Sequence, residues 1–165
     1  MNSPTRIAII GTGEAAGRNL APALAAVPNT VLWSVQSRSQ ERAEAFGVQH
    51  GAQAPAPAHE DLATLLADPE LDAVLIALPD ALHADAAIAA ARAGKHVFVE
   101  KPLATRIEDA RAIATACEQA DVRLAVGYHH RWHAGHRTLA RAIASGALGT
   151  IRKMEVTWHH PSNDS

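Results

Sequence analysis

Apolar and polar positions along this chain fall into two kinds of block. Short apolar runs of strand length occupy residues 6–10, 30–35, 73–78, 96–99 and 124–126. Between them lie longer stretches with helical spacing, such as Leu20, Leu24 and Val27 at i, i+4, i+7, and Leu62, Leu65 and Leu66 on one face. Pro22 is expected to kink the first helix, and Pro28-Asn29 to end it. Ser39 caps a helix over 40–46, and residues 47–58, with Ala-Pro-Ala-Pro, read as a short third strand and a loop. Asp68-Pro69 stops the helix before the run 73–78, which is apolar throughout, as a strand covered on both faces should be. Pro79-Asp80 opens a helix that Gly94 caps, and another spans 107–120. Strands alternating with helices specify an α/β fold, a doubly wound parallel sheet.

The first strand runs into Gly11-Thr12-Gly13-Glu14-Ala15-Ala16, followed by the first helix. Strand, tight glycine turn, helix is the order of the dinucleotide-binding Rossmann unit: Gly11 takes the bend, Gly13 lets a pyrophosphate approach the backbone, and Ala16 allows close helix–strand packing. The free N–H groups and positive dipole end of the helix complete an anion site, so Gly11, Thr12, Gly13, Glu14 and Ala15 are candidate cofactor-binding residues. Any α/β protein can carry a glycine turn; the strand before and the helix after are what point to a dinucleotide.

The end of the second strand bears on which dinucleotide. About 20 residues beyond the glycine loop, where a carboxylate would hold the ribose hydroxyls of NAD, the chain has Ser37 and Arg38. A hydroxyl and a planar guanidinium suit the 2′-phosphate of NADP, with Arg42 adding longer-range attraction, so NADP is the expected cofactor ahead of NAD. The alternative is that Arg38 points into solvent.

Composition narrows the classes. The 165 residues carry a net charge of −2 and are 48% apolar, which gives no polyanion-binding surface and argues against a nucleic-acid partner. No apolar run approaches the ~20 residues of a membrane span, and residues 1–5 lack a signal pattern, so a cytoplasmic protein without a membrane partner is expected. Cys117 stands alone in an alanine-rich helical stretch and reads as a small buried residue.

Several stretches together resemble the Gfo/Idh/MocA oxidoreductases: Gly11-Thr12-Gly13, Ile76-Ala77-Leu78-Pro79 with His83, Ala93-Gly94-Lys95-His96-Val97 into Glu100-Lys101-Pro102-Leu103-Ala104, and Gly127-Tyr128 with Arg131-Trp132. The resemblance implies an N-terminal NAD(P)-binding Rossmann domain, here residues 1–127, and the beginning of a C-terminal α/β domain in 128–165. It further implies hydride transfer between a nicotinamide cofactor and a sugar, cyclitol or related polyol, with a homo-oligomer for the full-length protein. Lys101 takes the place of the family's catalytic lysine beside the nicotinamide, while the family's aspartate and histidine belong to a motif beyond this sequence, so the chain is expected to be truncated and, alone, inactive. Leu78 stands where threonine is common, and His129 where asparagine is common.

The residues themselves fit that chemistry. Lys101 leaves a strand at the carboxyl edge, where ligands of such sheets bind, and an ammonium there can bond a reacting oxygen and share in moving its proton. Leu78 and Pro79 border the same edge. Glu100 orients Lys101, binds the cofactor, or forms a surface salt bridge; His83 approaches the nicotinamide end or is a capping or packed histidine. Whether Lys101-Pro102 is cis is not readable from sequence. Tyr128 and Arg131 are substrate-side candidates, with 128–136 turned toward the cleft. The spacing of His129, His133 and His136 would share a helical face, but no acidic residue lies among them, so no metal is expected. Residues 151–160 alternate like a half-buried strand opening a second sheet. Two other functions compete with the enzyme: a non-enzymatic dinucleotide-sensing regulator, and an inactive cofactor-binding fragment.

Overall fold

The computed structural model describes residues 3–157. Its strands are β1 (Thr5–Ile10), β2 (Thr30–Gln36), β3 (Ala58–His59), β4 (Ala73–Ile76), β5 (His96–Val99) and β6 (Leu124–Val126). All six pair in parallel, in the order β3-β2-β1-β4-β5-β6. The helices are α1 (Ala21–Ala25), α2 (Gln40–His50), α3 (Leu62–Leu66), α4 (His83–Arg92), α5 (Ile107–Gln119) and α6 (Ala134–Ala144). This is the α/β Rossmann architecture. The chain divides into two compact units, Met1–Gly127 and Tyr128–Ser165. Among the described residues no helix is long and apolar enough to cross a membrane.

The alternation of side chains in β1 builds both halves of the core of the first unit. Ala8 and Ile10 pack with Val74, Ile76, Val97 and Val99 against residues of α3, α4 and α5, while Ile9 packs with Leu32 and Val35 against Ala16, Leu24, Ala43 and Phe46. Four alanines of α4 (Ala86, Ala87, Ala90 and Ala91) are buried, and their small size lets the helix lie close to the sheet.

Four local expectations are corrected. The first helix does not simply kink at Pro22: it opens as a π-helical turn over Ala16–Leu20, in which the Ala21 N–H donates to Ala16, then narrows to α1. Pro22 has no N–H and its ring crowds the carbonyl four residues back, which the wider turn relieves. The helix ends at Ala25, so Val27 lies exposed rather than on the apolar face. Gly47 does not end α2 but lies buried within it, and Gly51, with φ +73°, is the left-handed cap, so the third strand shrinks to Ala58–His59. Finally, 151–157 form no strand, since a strand needs a neighbour for its ladder; residues 158–160 lie outside the described part.

At the edge opposite the glycine loop, buried Lys95 donates from Nζ to the carbonyls of Asp68 (2.6 Å) and Leu71 (2.9 Å). The indole N–H of Trp33 donates to Asp68 Oδ2 at 2.7 Å. Burial alone would raise the Asp68 carboxyl, but the bonds from Trp33 and the Glu70 N–H and the charge of Lys95 outweigh it and hold it below the usual carboxylate value. A depressed native value means stability that is present above the ordinary carboxyl range and lost as pH falls through the native value. Thermal melts between about pH 2 and pH 6 should therefore show an acid-side loss that shrinks in Asp68→Asn. Identical pH profiles for the two proteins would contradict this.

Candidate functional site

Adjacent strand exits are tied together, which fixes the carboxyl edge. The Gly11 N–H donates to Gln36 O (2.9 Å), Ala77 to Ile10 (2.9 Å), Glu100 to Ile76 (2.9 Å) and Gly127 to Val99 (2.8 Å). The loops after β1, β2, β4 and β5 therefore emerge side by side, bringing Gly11–Gly13, Ser37–Arg38, Leu78–Pro79 and Glu100–Lys101 to one edge. The order reverses direction between β1 and β4, the switch point at which such sheets form a crevice.

Gly11 and Gly13 have different tasks. Gly11 has φ +98°, and a Cβ there would sit 2.6 Å from the Ala77 carbonyl oxygen and 3.2 Å from Leu78 Cδ2, so the β1 and β4 exits can approach only because the residue is glycine. A Cβ on Gly13 would meet nothing within 4 Å, so the space beside it is open. Ala16 is fully buried against the core, as the third small position requires. Glu14 and Ala15 are exposed at the start of the helix, and the Glu14 carboxylate pairs with Arg18 one turn on.

At the β2 exit no carboxylate follows the strand. Ser37 is buried and its hydroxyl accepts from Thr12 Oγ1 at 3.1 Å, which links the glycine loop to the second strand. Sequence reading placed both residues near the cofactor but did not foresee this link, since it spans 25 positions. Arg38 and Arg42 are exposed. Leu78 is half-buried over Gly11, and Pro79 is exposed.

At the β5 exit the Lys101-Pro102 peptide is cis. The Glu100 carboxylate accepts from the main-chain N–H of Lys101 at 3.1 Å. It lies over Gly127, where an added Cβ would come within 3.0 Å of Glu100 Oε2. Sequence reading set Gly127 in the stretch that carries the family resemblance, without its contact to Glu100; its position directly after an apolar triplet, like that of Gly11, is the available signal. The Lys101 side chain is exposed. His83, by contrast, is 1% exposed, and both ring nitrogens face main-chain oxygens, Nδ1 that of Pro102 and Nε2 that of Leu78.

The second unit has Tyr128 and Arg131, both exposed, at its start. His129–Trp132 form a 3-10 turn, and His133, with extended backbone, separates that turn from α6, so His129, His133 and His136 do not lie on one helix. The rings gather all the same, with centroids 4.3 Å apart for His129 and His130, 5.2 Å for His130 and His136, and 4.8 Å for His133 and His136. Desolvation, then the charges of His129, His136 and His133, push His130 below the ordinary imidazole value. Among the described residues no group of three or more His, Cys, Asp or Glu is placed to hold a metal ion.

Comparison with known proteins gives a consistent result. Residues 5–128 match the family model GFO_IDH_MocA, described as an oxidoreductase family with an NAD-binding Rossmann fold. A 1,5-anhydro-D-fructose reductase of Ensifer adhaerens is 38% identical over 144 residues, covering 87% of this chain and 42% of that protein. A myo-inositol 2-dehydrogenase of Thermotoga maritima is 30% identical, over 95% of this chain and 46% of that protein. Among solved structures, a 3-ketoreductase from Actinomadura kijaniata, in complex with TDP-benzene and NADP, superposes with a TM-score of 0.81 at 34% identity, over 91% of this chain and 46% of that one. The chain spans less than half the length of these relatives.

Proposed function

This chain belongs to the Gfo/Idh/MocA oxidoreductase family, and from that premise we propose that residues 1–127 are the cofactor-binding half of an NADP-preferring oxidoreductase acting on a sugar, cyclitol or related polyol. The carrying observation is the pairing of Gly11, closed against Ala77, with Gly13, open to solvent: together they leave a backbone cradle at a helix start with room for a pyrophosphate. The names of the similar proteins support the substrate class, since they include an anhydro-sugar reductase and an inositol dehydrogenase. A bound nicotinamide supplies the hydride donor or acceptor.

The chain's own groups divide the remaining work. Gly11, Thr12, Gly13, Glu14 and Ala15 form the phosphate loop, with the Thr12–Ser37 bond holding it to the β2 exit. Leu78 and Pro79 wall the crevice at the switch point. Lys101 bonds the reacting oxygen and exchanges its proton, while Glu100, fixed on the Lys101 N–H, holds the loop from which the lysine projects. Tyr128 and Arg131 serve the substrate. A cytoplasmic, homo-oligomeric full-length protein completes the reading.

Preference for NADP rests on Arg38, exposed beside a strand end without a carboxylate. Arg38→Ala should weaken NADPH binding by roughly 1.5–3 kcal/mol, the range for hydrogen bonds to charged groups, and leave NADH nearly unchanged. Fluorescence titration of both cofactors against both proteins tests this. Equal affinities in the parent, or equal losses in the variant, contradict it.

A further inference from the structure

The loop that carries Lys101 is steadied from the neighbouring strand exit. Val99 of β5 pairs with Val126 of β6, and the residues that follow are held in step. The Gly127 N–H donates to Val99 O at 2.8 Å, and the Glu100 N–H donates to Ile76 O at 2.9 Å. Glu100 and Gly127 therefore lie side by side, one step beyond the end of the ladder. A Cβ added at Gly127 would sit 3.0 Å from Oε2 of Glu100, 3.2 Å from its Cδ and 3.3 Å from its Oε1, so the carboxylate fills the space that a side chain at 127 would take. From that place Oε2 accepts the Lys101 N–H at 3.1 Å. Among the described residues no cation pairs with this carboxylate. One hydrogen bond and the room over Gly127 thus hold a side chain that has many rotamers to lose.

The contact differs in kind from the one at Gly11, where a Cβ would strike backbone atoms. At Gly127 the three nearest atoms all belong to the far end of a flexible side chain, so a methyl there moves the carboxylate to another rotamer and leaves the strands in place. We propose that Gly127 is a positioning residue: by having no side chain it seats the Glu100 carboxylate on the Lys101 N–H, and through that bond it sets the course of the loop from which Lys101 projects. The seat itself is packing and one hydrogen bond, and stands without the functional reading above. Its effect on turnover rests on that reading, in which Lys101 exchanges the proton of the reacting oxygen. A side chain at 127 leaves the Lys101 N–H without its acceptor and the loop free to shift, and displacements of about 1 Å matter to a reacting group.

Backbone amide NMR of the 165-residue chain reads the seat. The Lys101 amide proton should move upfield in Glu100→Ala, which removes its charged acceptor. Gly127→Ala should move it upfield by a comparable amount, although residue 127 belongs to another strand exit. Glu100→Ala also removes all three atoms nearest the added methyl, so in that background Gly127→Ala should move the Lys101 amide no further. An unmoved Lys101 amide in Gly127→Ala, or additive shifts in the double variant, overturns the proposal. Loss of the fold in both Gly127→Ala and the double variant overturns it too, because the methyl would then be striking the backbone. A fold lost in Gly127→Ala and regained in the double variant supports the seat.

In a chain with a complete second domain, Gly127→Ala should lower kcat about 10–100-fold, with the KM for NADPH changed far less. Undiminished kcat in a protein whose Lys101 amide has moved refutes the positioning role. A parent enzyme without turnover refutes the functional reading alone, and the amide shifts still decide the seat.

Discussion

In a chain that carries these residues together with a complete second domain, Lys101→Ala is expected to lower kcat by ~10²–10⁴ while cofactor affinity changes far less. The side chain is exposed at the β5 exit, on a loop held from below by the bond between the Glu100 carboxylate and its own main-chain N–H. That bond survives truncation to alanine, so the loop should keep its course and only the ammonium is lost. A group that moves a proton in the transition state affects turnover, whereas one that only adds binding affects KM. Steady-state kinetics with a polyol panel, followed at the reduced-nicotinamide absorbance, separates the two. Near-normal kcat in the variant would reassign Lys101 as structural.

Gly11→Ala is expected to be the most destabilising single methyl in the first unit. The new Cβ would sit 2.6 Å from Ala77 O and 2.9 Å from its carbonyl carbon, and both are backbone atoms of the strand exit beside it. The φ of +98° adds strain that only glycine escapes. Strain and overpacking together cost about 2–6 kcal/mol, a large share of an ordinary domain's stability. Gly13→Ala makes the contrasting control, since its Cβ meets open space. Gly13→Ala should melt close to wild type while losing dinucleotide affinity, because the methyl occupies the cradle. Comparable melting temperatures for the Gly11→Ala and wild-type chains would contradict this assignment of tasks.

Cys117 gives a smaller check. Burial on the core-facing side of α5 raises its thiol above the ordinary value, so alkylation of the folded chain at neutral pH should be slow and should accelerate in denaturant. Rapid modification of the native protein would contradict its buried position.

The fold was legible because its signals are local. Apolar runs of strand length, helix-period spacing between them and the glycine loop each occupy a few neighbouring residues, and the β5 and β6 bounds match the apolar runs read for them. Errors came where a residue's meaning depends on distant partners. The helix was read over 40–46 with 47–58 as strand and loop, although Gly47 lies buried inside α2 and Gly51 takes the cap. Residues 151–157 alternate like a strand, but periodicity does not supply the neighbour that a ladder needs. At the site, the positions at strand ends were readable, and their ties were not. The Thr12–Ser37 bond, the Glu100 carboxylate over Gly127 and the two carbonyls on His83 all join loops far apart in sequence.

The central claim is that the carboxyl edge between β1 and β4 binds a nicotinamide dinucleotide. Titrating NADPH into the nitrogen-15-labelled 165-residue chain and mapping the backbone amide shifts tests it most directly. Saturable shifts centred on residues 11–15, with further changes at Ser37, Arg38, Leu78 and Lys101, are the predicted result. No saturable shift, or shifts confined to the opposite edge around Trp33, Asp68 and Lys95, would contradict it.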